Sequence, residues 1–193
     1  MRNILLLLCL ALALGAFNWS AINREPLLNG GTVIYLQLAP VDPRAFLLGD
    51  YMDLEFRVDR DVTGALRAAA READSRAASD GSDYSGHKTL RSQLPREGLA
   101  VVRLSPERVA AFARLDDGSP LAEGEHRLFF RLKNGEAEVA ARSFFFQEGH
   151  AQDYEAAEYG EIHVDEDGRN LLTHLLDKDL RRIEPGRRDA VGE

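Results

Sequence analysis

Between Leu38 and Val58 the chain cannot run straight. Pro40 and Pro43 fix their own φ angles and push Ala39 and Asp42 out of the helical region. Gly49-Asp50 is a turn dipeptide, with glycine free to take a positive φ. From Tyr51 the residues alternate: Met52, Leu54, Phe56 and Val58 on one side, Asp53, Glu55 and Arg57 on the other. That period of two predicts a strand over Tyr51 to Val58, one face in a core and one in water. Upstream, Thr32 to Leu38 is β-branched and aromatic and predicts the preceding strand. Two strands joined by a tight bend make a β-rich fold the starting expectation.

The rest of the chain adds strands and one long helix. Arg60 to Ala78 is alanine-rich, with Val62, Leu66 and Ala69-Ala70 at helical spacing, and Asp61 or Thr63 offers a cap. Having few large apolar residues, this helix is expected to cover the surface. Ser79 to Gly98 reads as a long polar loop carrying His87, Lys88 and Arg91. Leu99 to Leu104 is strand-like, Ser105-Pro106-Glu107 starts a turn or short helix, and Val109 to Leu115 suits helix or strand. His126 to Lys133 and Glu136 to Phe146 flank Asn134-Gly135, the preferred dipeptide of a type I′ hairpin turn. Phe144, Phe145 and Phe146 are expected to enter the core with both faces covered. Ala151 to Ala157 suggests two helical turns, and Tyr159 to Val164 is placed to pair with Asn170 to Leu176 across Asp165-Glu166-Asp167-Gly168.

The N-terminal segment predicts that the rest of the chain lies outside the cytoplasm. Met1-Arg2-Asn3 is short and positive, and residues 4–22 are almost continuously apolar or small, with Trp19 at the interfacial position. That length spans a bilayer as a helix, and Arg2 keeps the short side in the cytoplasm. A cleaved signal peptide is the alternative, with small-residue sites at Ala11-Leu12-Ala13 and Leu14-Gly15-Ala16. The anchor is favoured because Asn18-Trp19 carries the segment past those sites. Asn23 to Gly31, with Pro26 and Gly30-Gly31, reads as a linker, and the polar end from Pro185 as a tail. The expected organisation is an anchor over 1–22, a linker over 23–31, one domain over 32–184 and a tail over 185–193. The single cysteine, Cys9, lies inside the apolar run, so no disulfide forms within the chain.

Several separated motifs resemble the GDYXXLXY family, a group of bacterial membrane-anchored proteins of unknown function. Gly49-Asp50-Tyr51, then Leu54 and Phe56, is similar to the signature that names the family, with Phe where the name has Tyr. The preceding run with Pro40, Asp42, Pro43 and Arg44 also resembles it. So do Phe144 to Phe146 with Gln147, Glu148 and Gly149, then Tyr154, Ala157, Tyr159, Gly160 and Glu161. The resemblance covers roughly residues 22–182. It implies a membrane anchor and a polytopic membrane protein as partner, since such domains occur beside or fused to integral membrane proteins.

Candidate chemistry is sparse. Net charge of −8 argues against nucleic acid, which would need a basic face. Residues 147–168 hold eight carboxylates and no Lys or Arg, and Asp165-x-Asp167-Gly168 is faintly like part of a calcium loop. It lacks the later ligands, so a solvated turn and an exposed face explain it more simply. Among the histidines, His150 with Asp153 and His163 with Asp165 come nearest to a zinc site, but zinc needs three or four convergent ligands. A likeness to type I signal peptidases fails on the absence of any serine between Ser20 and Ser75. Asp42, Arg44 and Asp50 are expected to serve the turn through an ion pair or backbone capping.

The sequence therefore predicts a mainly β (α+β) protein: a transmembrane helix, then one mostly antiparallel β domain with short peripheral helices. No catalytic residue, metal or cofactor is expected. The bilayer through residues 4–22 and a polytopic membrane protein are the expected partners, and the bacterial inner membrane with a periplasmic domain is the expected location. An enzyme is the competing class and requires a cleft with perturbed titratable groups.

Overall fold

The computed structural model describes residues 30–39, 51–79 and 94–186. The apolar run 4–22 and the turn-rich segment with Pro40, Asp42, Pro43, Arg44, Gly49 and Asp50 lie outside the described residues, as does most of the polar loop with His87.

The protein is mainly β. The elements are β1 (Thr32–Gln37), β2 (Tyr51–Asp53), α1 (Arg57–Ser79), β3 (Glu97–Leu104), β4 (Val109–Leu115), β5 (Glu125–Lys133), β6 (Glu136–Glu138), β7 (Ser143–Phe145), β8 (Tyr159–Val164) and β9 (Asn170–Leu176). Seven strands form one mixed sheet in the order β6-β5-β3-β4-β1-β8-β9, and β2 pairs with β7 in a separate ribbon. β1 sits inside the sheet, antiparallel to β8 from Thr32↔Val164 to Gln37↔Tyr159 and parallel to β4 at Tyr35↔Val109. The remaining neighbours are antiparallel. The sheet curls until its two ends meet. The Phe129 N–H of β5 donates to the carbonyl of Gly168 in the β8–β9 turn, at 2.7 Å.

One sheet face makes the core. Ile34 and Leu36, Ala100 and Val102, Leu128 and Phe130, and Ile162 and Val164 are buried at the period-two spacing of their strands. Val58, Val62 and Leu66 recur every four residues along α1 and join that cluster. The helix therefore contributes to the core over its first half instead of only covering it.

Several expectations are corrected. Met52, Leu54, Phe56 and Val58 are all buried, yet the strand stops at Asp53 and the helix begins at Arg57. The helix start is set by Asp59, neither Asp61 nor Thr63. Phe56 occupies the N-cap, and the Asp59 carboxylate three residues on accepts its N–H at 3.3 Å. This is the returning half of a capping box. The Asn134-Gly135 hairpin forms, with φ of 55° and 86°, but β6 ends at Glu138. The chain then leaves the sheet, and β7 pairs with β2. Because a two-stranded ribbon has an uncovered face, Phe145 is 74% exposed, while Phe144 and Phe146 pack inward. Val109 to Leu115 is a strand, and the expected helix over Ala151 to Ala157 is one 3₁₀ turn over Ala151–Tyr154.

Candidate functional site

Two parts of the sequence that resemble one family meet in the core. Gly160 of β8 lies under the ring of Phe56, and a Cβ at Gly160 would stand 2.8 Å from Phe56 Cε1 and 3.0 Å from Leu172 Cδ1. Glycine is required there by close approach, and Phe56 fills the space. The backbone around Phe56 is laced to its neighbours. Phe56 bridges Leu38, the Ala39 N–H donates to the Glu55 carbonyl, and the Leu54 N–H donates to the Arg142 carbonyl. Leu54 is fully buried. Tyr51 begins β2, its ring 5.8 Å from that of Phe145. Tyr154 is buried between Phe144 and Phe146, with ring centroids at 5.3 and 5.4 Å. Tyr159 is half-buried opposite Gln37. Gln147, Glu148 and Gly149 are exposed on the turn that leads to His150.

Beside this junction, α1 runs along the edge strand β6. The outward N–H groups of Ala137 and Val139 donate to Thr63 Oγ1 and Asp59 Oδ1, both at 2.9 Å. The match is geometric. Four helical residues advance about 6 Å and two strand residues about 6.7 Å, so one helix face meets alternate strand donors. Thr63 also donates to the Asp59 carbonyl at 2.7 Å. Asp59 is only 2% exposed, and burial pushes its carboxyl up to about 6 despite the two backbone donors and the nearby charge of Arg142.

Above this clamp lies a groove of about 260 Å³, lined by Glu55, Asp59, Arg60, Thr63, Gly64, Arg67, Glu136, Ala137 and Arg142. Glu55 and Arg60 form a two-pronged pair, both oxygens at 2.8 Å, and the Arg60 hydrogen bonds hold the Glu55 carboxyl below its ordinary value. Arg142 reaches Glu136 and Glu138 at 3.5 and 3.6 Å. Sequence offers Thr63 only as a helix cap and Glu55 only as a water-facing strand residue, and it marks none of the lining residues as a site. Thr63 and Ala137 are 74 positions apart and Asp59 and Val139 are 80 apart, so only the fold assembles them.

A second polar cluster occupies the sheet face away from the core. Glu161 is 1% exposed and accepts from Arg182 Nε at 2.9 Å and a terminal nitrogen at 2.8 Å. Thr173 Oγ1 donates at 3.1 Å, His174 Nδ1 lies at 3.2 Å and His163 Nε2 at 3.6 Å. Burial raises the Glu161 carboxyl, but the Arg182 and Thr173 hydrogen bonds and the Arg182 charge outweigh it and hold the carboxyl below its usual value. The cluster pins the C-terminal segment, where the Ile183 N–H donates to the Leu175 carbonyl.

His150 and Asp153 do meet, at 2.7 Å, and the Asp153 carboxylate also accepts the Gly186 N–H. His163 approaches Glu161 instead of Asp165, because Asp165 caps its own turn by accepting the Arg169 N–H at 2.8 Å. Among the described residues no three His, Cys, Asp or Glu side chains are grouped to hold a metal ion. Among the same residues no helix is long and apolar enough to cross a membrane.

Comparison with curated proteins and with solved structures finds no match. The model of the GDYXXLXY protein family matches residues 13–175, most of the chain, and the chain belongs to that family.

Proposed function

We propose that the chain is an anchored interaction domain: residues 4–22 hold it in the bacterial inner membrane, and the domain over 32–184 works in the periplasm beside a polytopic membrane protein. The apolar length and Arg2 support the anchor. The linker over 23–31 and the tail over 185–193 complete this organisation. The observation that carries the reading is where the described motif residues go. Leu54, Phe56, Tyr154 and Gly160 serve internal packing, which makes the described part of the family signature a scaffold that holds α1 against the sheet. The groove along α1 is then the surface offered to a partner. An enzymatic reading finds less support: Asp59 has a raised pKa beside a cavity, yet both its oxygens accept backbone N–H groups, and the one hydroxyl lining the groove, Thr63, is already bonded twice.

A photoreactive residue in place of exposed Ala68 on α1 should cross-link to a multi-spanning membrane protein in native membranes. Absence of any such product, from this position and from Arg67, refutes the reading. A reporter fused after Glu193 should be active only outside the cytoplasm. Release by carbonate, or processing after Ala13 or Ala16, replaces the anchor with a cleaved signal.

A further inference from the structure

The groove along α1 has donors without acceptors. Arg142 Nε is buried and has no hydrogen-bond partner among the described residues; a carboxylate oxygen of Glu138 lies 3.6 Å away. Arg67 makes one long bond, 3.3 Å, to the Gly135 carbonyl, and no ion pair of Arg67 occurs among the described residues. The groove's acceptors are in the opposite condition. Both Glu55 oxygens are held by Arg60, and both Asp59 oxygens accept backbone N–H groups, while the third carboxylate, Glu136, is more than half exposed and meets Arg142 only at 3.5 Å. A buried donor left unpaired is costly, so among the described residues the site lacks a well-placed acceptor and not another cation.

Gly64 adds an independent observation. It lies in the interior of α1, where glycine is the poorest helix former after proline. A Cβ there would meet nothing within 4 Å, so packing within the described chain does not require glycine. Gly64 lines the same groove as Arg67 and Arg142. Its effect is to leave the helix backbone open to close approach from outside.

We propose that this groove binds a carboxylate, supplied by an acidic side chain of a partner segment that crosses α1 at Gly64. The proposal rests on the reading of the chain as an interaction domain. A planar carboxylate matches the fork of a guanidinium. It also carries a single charge, which Glu55, Asp59 and Glu136 oppose less than they would a phosphate. The cavity of about 260 Å³ suits one side chain more than a folded element.

The test uses the ¹⁵N-labelled full-length chain in detergent micelles and follows the arginine Nε–Hε signals. Three probes are titrated: acetyl-Gly-Glu-Gly-amide, its glutamine counterpart and inorganic phosphate. The glutamate peptide should shift the Arg67 and Arg142 signals saturably, and neither other probe should do so in the same range. Arg67→Gln should weaken that binding about tenfold. Gly64→Leu should abolish it while leaving the amide spectrum of the sheet unchanged. A glutamate peptide that produces no saturable shift overturns the proposal, as does equal binding of the glutamine peptide or phosphate, or unchanged affinity in Arg67→Gln. Cross-linking from Ala68 that succeeds while the peptide fails leaves the partner reading standing and removes only the carboxylate. Failure of both removes both.

Discussion

Replacing Asp59 with asparagine should flatten the dependence of stability on pH in the mildly acid range. In the folded chain burial raises the Asp59 carboxyl from 3.8 to about 6. The folded state therefore holds this proton more tightly than the unfolded chain does. A raised carboxyl pKa means that stability from this group is highest near pH 4 and falls as pH rises towards 6. About two pKa units at about 1.36 kcal/mol each give a loss of about 3 kcal/mol across that window. Glu161 and Glu55 act in the opposite sense, since their carboxyls lie below the ordinary value, and their contribution is lost only at lower pH. Asp59→Asn cannot ionise, so its loss over the window should shrink by about 3 kcal/mol. Asparagine keeps one acceptor for Val139, but its amide hydrogens face the Phe56 N–H, so the variant should be less stable than the parent near pH 4.5. Urea denaturation of the full-length chain in micelles at pH 4.5, 5.5, 6.5 and 7.5, read by near-ultraviolet circular dichroism, measures both slopes. Equal slopes in the two chains, or parental stability that rises with pH over this window, would refute the reasoning.

Gly160→Ala should destabilise by about 1–3 kcal/mol through overpacking against the Phe56 ring. In a thermal-denaturation cycle with Phe56→Leu the double variant should lose less than the sum of the singles, and additivity would deny the contact. Gly135→Val should cost about 1–3 kcal/mol, because a β-branched residue resists the φ of 86°. An unchanged melting temperature would mean the turn tolerates another geometry. Glu161→Gln should weaken the chain by about 1–3 kcal/mol by reducing the charge-assisted bonds to Arg182. Hydrogen exchange at the Ile183 amide should then accelerate more than at the Ile34 amide, and equal protection would contradict the role given to Glu161.

Local signals were legible and long-range ones were not. Asn134-Gly135 carries its turn in two residues, and both adopt the positive φ that the dipeptide favours. The burial of Met52, Leu54, Phe56 and Val58 was equally readable, but not the element boundary among them. Val58 ends a period-two pattern and begins a period-four one with Val62 and Leu66, so alternation alone ran the strand too far. Phe144 to Phe146 look like a core strand, and only the pairing of β7 with β2 explains why the middle ring is exposed. The parallel pairing of β1 with β4 leaves no local mark. The groove depends on α1 meeting β6 across the chain, and Glu161 on Arg182, 21 residues away. Neither cluster has a spacing that sequence can display.

The place of β1 inside the sheet sets an order of events as the chain emerges N-terminus first. This interior strand is the first to appear, yet Ile34 must wait for Ile162 before its antiparallel partner exists. Until β8 is made, β1 has only β4 to pair with, and Leu36 and Ile34 lack one flank of their enclosure. Such a topology closes late and slowly, because distant partners must find each other before either is rewarded. The interval exposes an unpaired edge rich in β-branched and aromatic residues, the kind of surface that invites premature association with other nascent chains.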